Sequence, residues 1–166
     1  MPDIAVYPVV PHAKPRLTRG DSITMAKLRG RQRLNQRETK RAAALGKWLA
    51  YCDEVQLRRV RLDLEGFYHV VFCVPMPASW SQKKKTAHDL RIHRARPDRD
   101  NLDKALMDAC HAEDCISGDA RVTKIWARRG AIIISRHNLH VTPAVLGGIL
   151  EQTNYGNNRT TKFGEG

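Results

Sequence analysis

Residues 57–74 read LRRVRLDLEGFYHVVFCV, and how this stretch is taken decides the fold. Apolar and polar positions alternate at its start, and then FYHVVFCV follows with β-branched and aromatic residues in an almost unbroken run. That is the pattern of a strand buried on both faces. Gly66 marks a bulge or a break between the two parts. Working towards the N-terminus, apolar residues at Ala43, Leu45, Trp48, Leu49 and Cys52 predict the inner stripe of an amphipathic helix over about 33–55, with Arg37, Lys40, Arg41 and Lys47 on its outer face. Before it, VPHAKPRLTRGDS has the prolines and bases of a positive loop, and IAVYPV over 4–9 predicts a first strand.

Towards the C-terminus, Pro75 and Pro77 close the central strand, and Ser79 or Ser81 is placed to cap a short helix carrying Lys83, Lys84 and Lys85. Asp100 or Asn101 starts another helix, with Leu102, Ala105, Leu106 and Ala109 on its core side. RVTKIWARRG and AIIISRHNLHV then predict two strands joined at Arg129 and Gly130 as a hairpin. A chain of 166 residues in this order is expected to form a single small α/β domain of the α+β type, a mixed β-sheet packed with two or three helices. The domain is expected over residues 1–145, with a flexible polar and Gly-rich tail over 146–166.

Charge points to the partner. Lys and Arg number 29 against 17 Asp and Glu, a formal net charge of +12. Between residues 14 and 47 stand eleven bases and two acids. Phosphate arrays recruit such surfaces by releasing condensed counterions, so nucleic acid is the expected ligand. No apolar run approaches the roughly 20 residues that span a bilayer, and the N-terminus lacks the order of a signal peptide, so a cytoplasmic protein with no membrane partner is expected. The four cysteines form no CxxC pair, and the spacing of Cys110, His111 and Cys115 matches no common zinc module. Reduced, mostly buried thiols are the reading they support.

Against this basic background stands RARPDRDNLDKALMDACHAEDCISGDARV, residues 94–122. From Asp98 to Asp119 it holds seven acids and two bases. Asp98 and Asp100, two apart in an extended entry after Pro97, can turn their carboxylates to one side. Lys104 follows Asp100 by one helical turn and Asp108 follows by another. Asp119 lies where a loop re-enters a strand and can fold back beside the first pair. Three carboxylates about one point make a Mg²⁺ site, and the cation removes their repulsion for each other and for DNA. Alone, each acid has a plainer use as a helix cap, a dipole partner or half of a surface pair. Asp103, Glu113 and Asp114 are read as surface charge.

R-P-D-R-D-N-L-D-K-A-L-M-D-A, followed by G-D-A-R-V, resembles the signature of the RusA family of Holliday junction resolvases, phage-encoded members in particular. V-Y-P-V-V-P-H-A-K-P-R-L-T-R resembles the family's first strand and basic loop, and P-A-S-W-S-Q-K-K-K a segment upstream of the signature. The resemblance implies a homodimeric, Mg²⁺-dependent endodeoxyribonuclease, with Mn²⁺ able to substitute and no small-molecule cofactor. Its expected action is paired symmetric nicks in four-way junctions and other branched DNA, in a bacterial or phage-infected cell. Carried over by position, Asp98, Asp100 and Asp119 match the metal-binding carboxylates and Lys104 the catalytic lysine, while Asn101 and Asp108 match supporting positions. Lys14, Arg16, Arg19, Lys83, Lys84, Lys85, Arg94, Arg96 and Arg99 are expected to hold DNA phosphates. One departure stands out: Gly118 replaces the first of two adjacent acids, so Asp119 supplies the ligand, or Asp114 does if the loop is threaded differently. That departure keeps a junction-binding protein without catalysis in play, and a flap or fork nuclease of looser substrate choice is the other alternative.

Overall fold

A computed structural model describes residues 4–62, 66–110 and 120–152. The described elements run β1 (Ile4–Tyr7), α1 (Asp21–Arg29), α2 (Gln36–Leu57), β2 (Tyr68–Pro75), α3 (Gln82–His88), α4 (Arg99–Ala109), β3 (Ala120–Ala127), β4 (Ala131–Ser135) and α5 (Pro143–Gln152). The result is the expected small mixed α/β domain built on one mixed sheet. Its strand order is β1-β4-β2-β3, with β2 parallel to β3 and antiparallel to β4, and β4 antiparallel to β1.

The FYHVVFCV run becomes the centre of that sheet. Side chains alternate across a strand, so β2 divides its residues between two cores. Val70 and Phe72 pack with Ile132 and Ile134 of β4 under α2 and α4. Val71 and Cys73 pack with Ile125, Ala131 and Ile133 against Leu146 and Ile149 of α5. Three helices thus cover the two faces. Two expectations fail here. Strands β3 and β4 are not a hairpin, because β2, buried on both faces, lies between them and pairs with both. Residues 146–152 are not tail, because α5 carries Leu146 and Ile149 into the second core; residues 153–166 lie outside the described residues.

Helix α2 starts with a capping box. The Asn35 side chain accepts from the Glu38 amide, and the Glu38 carboxylate accepts from the Asn35 amide, each at 2.8 Å. Its inner stripe is Leu45, Trp48, Leu49, Tyr51 and Val55, while Ala43, expected on that stripe, is exposed. Helix α1 was absent from the sequence reading, where its start belonged to the basic loop. Its anchor is Asp21, almost wholly buried, which accepts from the Thr18 amide and pairs with Arg41 of α2 at 2.5 Å. Arg41 also donates to the Arg16 carbonyl, so a base expected on the outer face instead ties the loop and α1 to α2. The Thr18 hydrogen bond first, and the Arg41 contacts after it, hold the Asp21 carboxyl below the usual range. At the turn into β4, Gly130 lies so close to Val10 that a Cβ would come within 2.7 Å of its Cα. Only glycine allows that approach.

His69 lies wholly buried on the α5 face of β2. Its Nδ1 accepts from the Leu139 amide at 3.0 Å, and Nε2 pairs with Thr123 Oγ1 at 2.9 Å, contacts that require a neutral ring. Burial first, and Arg121 second, push its pKa from 6.5 down to about 4. The unfolded chain therefore takes up a proton between those values that the native protein refuses, and stability falls as pH is lowered through that window. Melting curves followed by circular dichroism should show this fall, with a shallower slope in His69→Gln. Parallel slopes in the two proteins would remove His69 as the cause.

Candidate active site

The proposed catalytic segment enters the sheet's α4 face from an extended turn. A cis peptide joins Arg96 to Pro97, and Asp98 follows as the residue before α4, with φ −68° and ψ 152°. An aspartate here ordinarily caps the helix by accepting from an amide of the first turn. Asp98 makes no such side-chain bond. Its carboxylate and that of Asp100 in the first turn are exposed, and neither has a side-chain hydrogen bond or ion pair among the described residues. Both lie at the positive end of the helix dipole, which stabilises their charge and attracts further oxygen anions.

The inner side of α4 is what fixes these carboxylates in space. Leu102, Ala105 and Leu106 are fully buried against Phe72, Trp48 and Ile132 in the first core. Burying a leucine contributes roughly 1.5–3 kcal/mol, so the helix is seated firmly along this stripe. Asn101 and Lys104 are on the exposed side.

Asp103 departs from its reading as surface charge. One turn from Asp100, it is half-buried, and its Oδ1 is buried without a hydrogen-bond partner among the described residues. Burial raises its pKa, and Arg99 partly opposes that rise. Arg99, Asp100 and Asp103 of α4 face Ala120, Arg121 and Val122 of β3 across an open cavity of about 290 Å³. Ala120 directly follows Asp119, which lies with Gly118, Asp114 and Glu113 outside the described residues.

Asp108 does not reach towards Lys104 as the spacing alone suggested. It pairs with Lys14 at 2.8 Å, and Lys14 also lies 5.9 Å over the Trp48 ring. The basic loop is thereby fastened to α4, with Lys14 occupied in that contact. Arg16 and Arg19 are exposed, as are Arg94, Arg96 and Arg99 around the entry to α4. Ser81 is the cap of α3, accepting from the Lys84 amide. The Lys84 ammonium stands 4.1 Å over Trp80, which packs on Trp126 of β3, and Lys85 donates to the Ala78 carbonyl. An aromatic stack thus holds the lysine-bearing helix on the strand that borders the cavity. Lys83 is exposed.

Lys124 lies in the stretch RVTKIWARRG that predicts a strand. It is buried on the α4 face of β3, and its ammonium donates to the carbonyls of Ala95 and Pro97, in the turn that leads to Asp98. Burial lowers its pKa, and Asp98 opposes that effect. A lysine at an inward parity in ARVTKIWA was the available signal.

Among the described residues, no group of three His, Cys, Asp or Glu converges as a metal site. The pair Asp98 and Asp100 nevertheless fits a divalent cation, being two hard oxygen donors with no side-chain hydrogen bond or ion pair among those residues. Of the cysteines, Cys52, Cys73 and Cys110 are free thiols, and burial pushes Cys110 up to about 12, far from a metal-binding thiolate.

Carboxylates without a side-chain hydrogen bond thus stand at the start of α4, bordered by the exposed bases Arg94, Arg96 and Arg99. The family model described as endodeoxyribonuclease RusA matches residues 7–140, and the chain belongs to that family. It is an endodeoxyribonuclease, a hydrolase acting on DNA, from a family of Holliday junction resolvases whose nucleases are generally dependent on divalent metal. No curated protein and no solved structure matches it. No helix among the described residues is long and apolar enough to cross a membrane.

Proposed function

We propose that this chain resolves four-way DNA junctions by paired, Mg²⁺-dependent nicks. The observation that carries this reading is the free pair Asp98 and Asp100 at the start of α4 in a chain of net charge +12. Asp98, Asp100 and Asp119 are assigned as the residues that hold the ion. A bound Mg²⁺ supplies charge neutralisation at phosphate and a water of lowered pKa. Lys104, exposed one turn after Asp100, is assigned to the scissile phosphate as a point charge. Asn101 supports the carboxylates, and Asp108 supports the site by anchoring the basic loop through Lys14.

The exposed bases Arg16, Arg19, Lys83, Arg94, Arg96 and Arg99, together with Lys84 and Lys85, bind backbone phosphates and so select shape rather than base sequence. Paired nicks need two sites related by a two-fold axis, which a homodimer provides. Gly118, standing where the family carries an acid, favours one second reading, a protein that binds junctions without cutting them.

One assay separates the readings. The protein is mixed with a labelled synthetic four-way junction, or with linear duplex of the same sequence, in Mg²⁺ or in EDTA. Expected are binding in both buffers, paired nicks with 5′-phosphate ends in Mg²⁺ only, and little cutting of linear duplex. Junction binding with no metal-dependent nick would remove the resolvase reading in favour of the second. Linear duplex cut as fast as the junction would show a nuclease without structure selectivity.

A further inference from the structure

We infer that Lys124 is a positioning residue for the catalytic carboxylates, a strut that holds the turn carrying Asp98 against the strand that follows Asp119. This rests on the metal-site reading above. Lys124 sits four residues after Ala120 on the α4 face of β3, and its side chain is almost wholly buried. A buried ammonium survives only where hydrogen bonds replace the water it gives up. Here the carbonyls of Ala95 and Pro97, three residues and one residue before Asp98, accept from it.

The same strand residue is held a second time through main chain, because the Lys124 carbonyl accepts from the His93 amide at 2.9 Å. The neighbouring contacts repeat the stitch: the Leu90 amide donates to the Trp126 carbonyl, the Trp126 amide to the Arg91 carbonyl, and the His93 ring stacks on Trp126 at 3.6 Å. Residues 90–97 therefore ride on the edge of β3, and Lys124 is the side chain that fastens the end of this segment nearest the site. Asp98 and Asp100 on one side, and the start of β3 on the other, belong to segments far apart in sequence. A carboxylate pair held by a long loop alone would sample many separations, whereas a cation needs its oxygens within a few tenths of an ångström of their places.

Two roles for Lys124 make opposite predictions for metal. If it acts only as a positive charge near the site, removing the charge should tighten cation binding. If it positions Asp98, removal should loosen it, by about 10–100-fold as for other groups that orient metal ligands. The probe is Mn²⁺ titrated into full-length protein without DNA, read by electron paramagnetic resonance of the free ion, with Asp98→Asn marking the binding that belongs to this site. Lys124→Met keeps the aliphatic stem and loses the donors. The expected result is a Mn²⁺ dissociation constant about 10–100-fold higher than wild type, with junction binding in EDTA retained. A constant equal to or lower than wild type overturns the inference. Should Lys124→Met fail to fold, Lys124→Gln is measured in the same way, and the same inequality decides. If the wild-type protein shows no Mn²⁺ binding that Asp98→Asn abolishes, the metal-site reading itself fails and the strut falls with it.

Discussion

Replacing Asp98 by Asn should reduce nicking of a four-way junction by more than about a hundredfold while leaving junction binding intact or tighter. The size follows from position. Groups that merely orient a metal ligand are worth about 10–100-fold, so loss of a donor to the ion should exceed that range. The sign on binding follows from charge, because Asn removes one negative charge from a surface that DNA phosphates must approach. Because Asp98 makes no capping hydrogen bond and is exposed, the substitution removes only its charge at the positive end of the helix dipole, and the melting temperature should fall only slightly. The measurement is single-turnover cleavage of labelled junction beside a gel-shift titration in EDTA. A variant that cuts at the wild-type rate would take Asp98 out of the site. The same pair of assays on Asp119→Asn decides between Asp119 and Asp114 as the third ligand, since retained cutting would move that role to Asp114.

The largest effect on stability is expected from Leu106→Ala. Leu106 is fully buried in the core that α4 shares with Phe72, Trp48 and Ile132. Truncating a leucine in such a place removes its transfer energy and leaves a cavity that its neighbours fill only in part, a loss of about 2–5 kcal/mol. That is a large part of the stability of an ordinary domain. Urea titration should therefore show a midpoint well below wild type with a similar slope, and a loss below about 1 kcal/mol would mean that α4 is not seated as described. The two substitutions test separate links: Asp98→Asn tests the proposed metal ligand, and Leu106→Ala tests the packing that seats α4.

Much of this was legible from local pattern. The run FYHVVFCV announces a strand buried on both faces, and Leu102, Ala105, Leu106 and Ala109 announce the inner stripe of α4, because burial imposes periods of two and of 3.6 on a chain. What failed in the reading were pairings between distant segments. Hairpin logic joined β3 to β4 because they are neighbours in sequence. It missed that β2, buried on both faces, needs a strand on each side. Arg41 looked like surface charge because a helical wheel cannot see α1 arriving with Asp21. Asp103 looked like surface charge for a related reason, since its inward aspect depends on how α4 rolls against β3.

The sequence by itself determined the chemistry on offer: a basic body, an island of acids beginning at Asp98 and Asp100, and a lysine one turn on. These follow from residue type and short spacing, which survive any folding. The tertiary structure alone decided which groups are free and which are occupied. Asp98 and Asp100 are left uncapped, Asp108 is spent on Lys14, and Lys124 is buried beneath the turn that delivers Asp98. The physical reason is that a charged side chain takes whichever partner the packing of distant segments brings within hydrogen-bonding reach, and sequence spacing does not encode that distance.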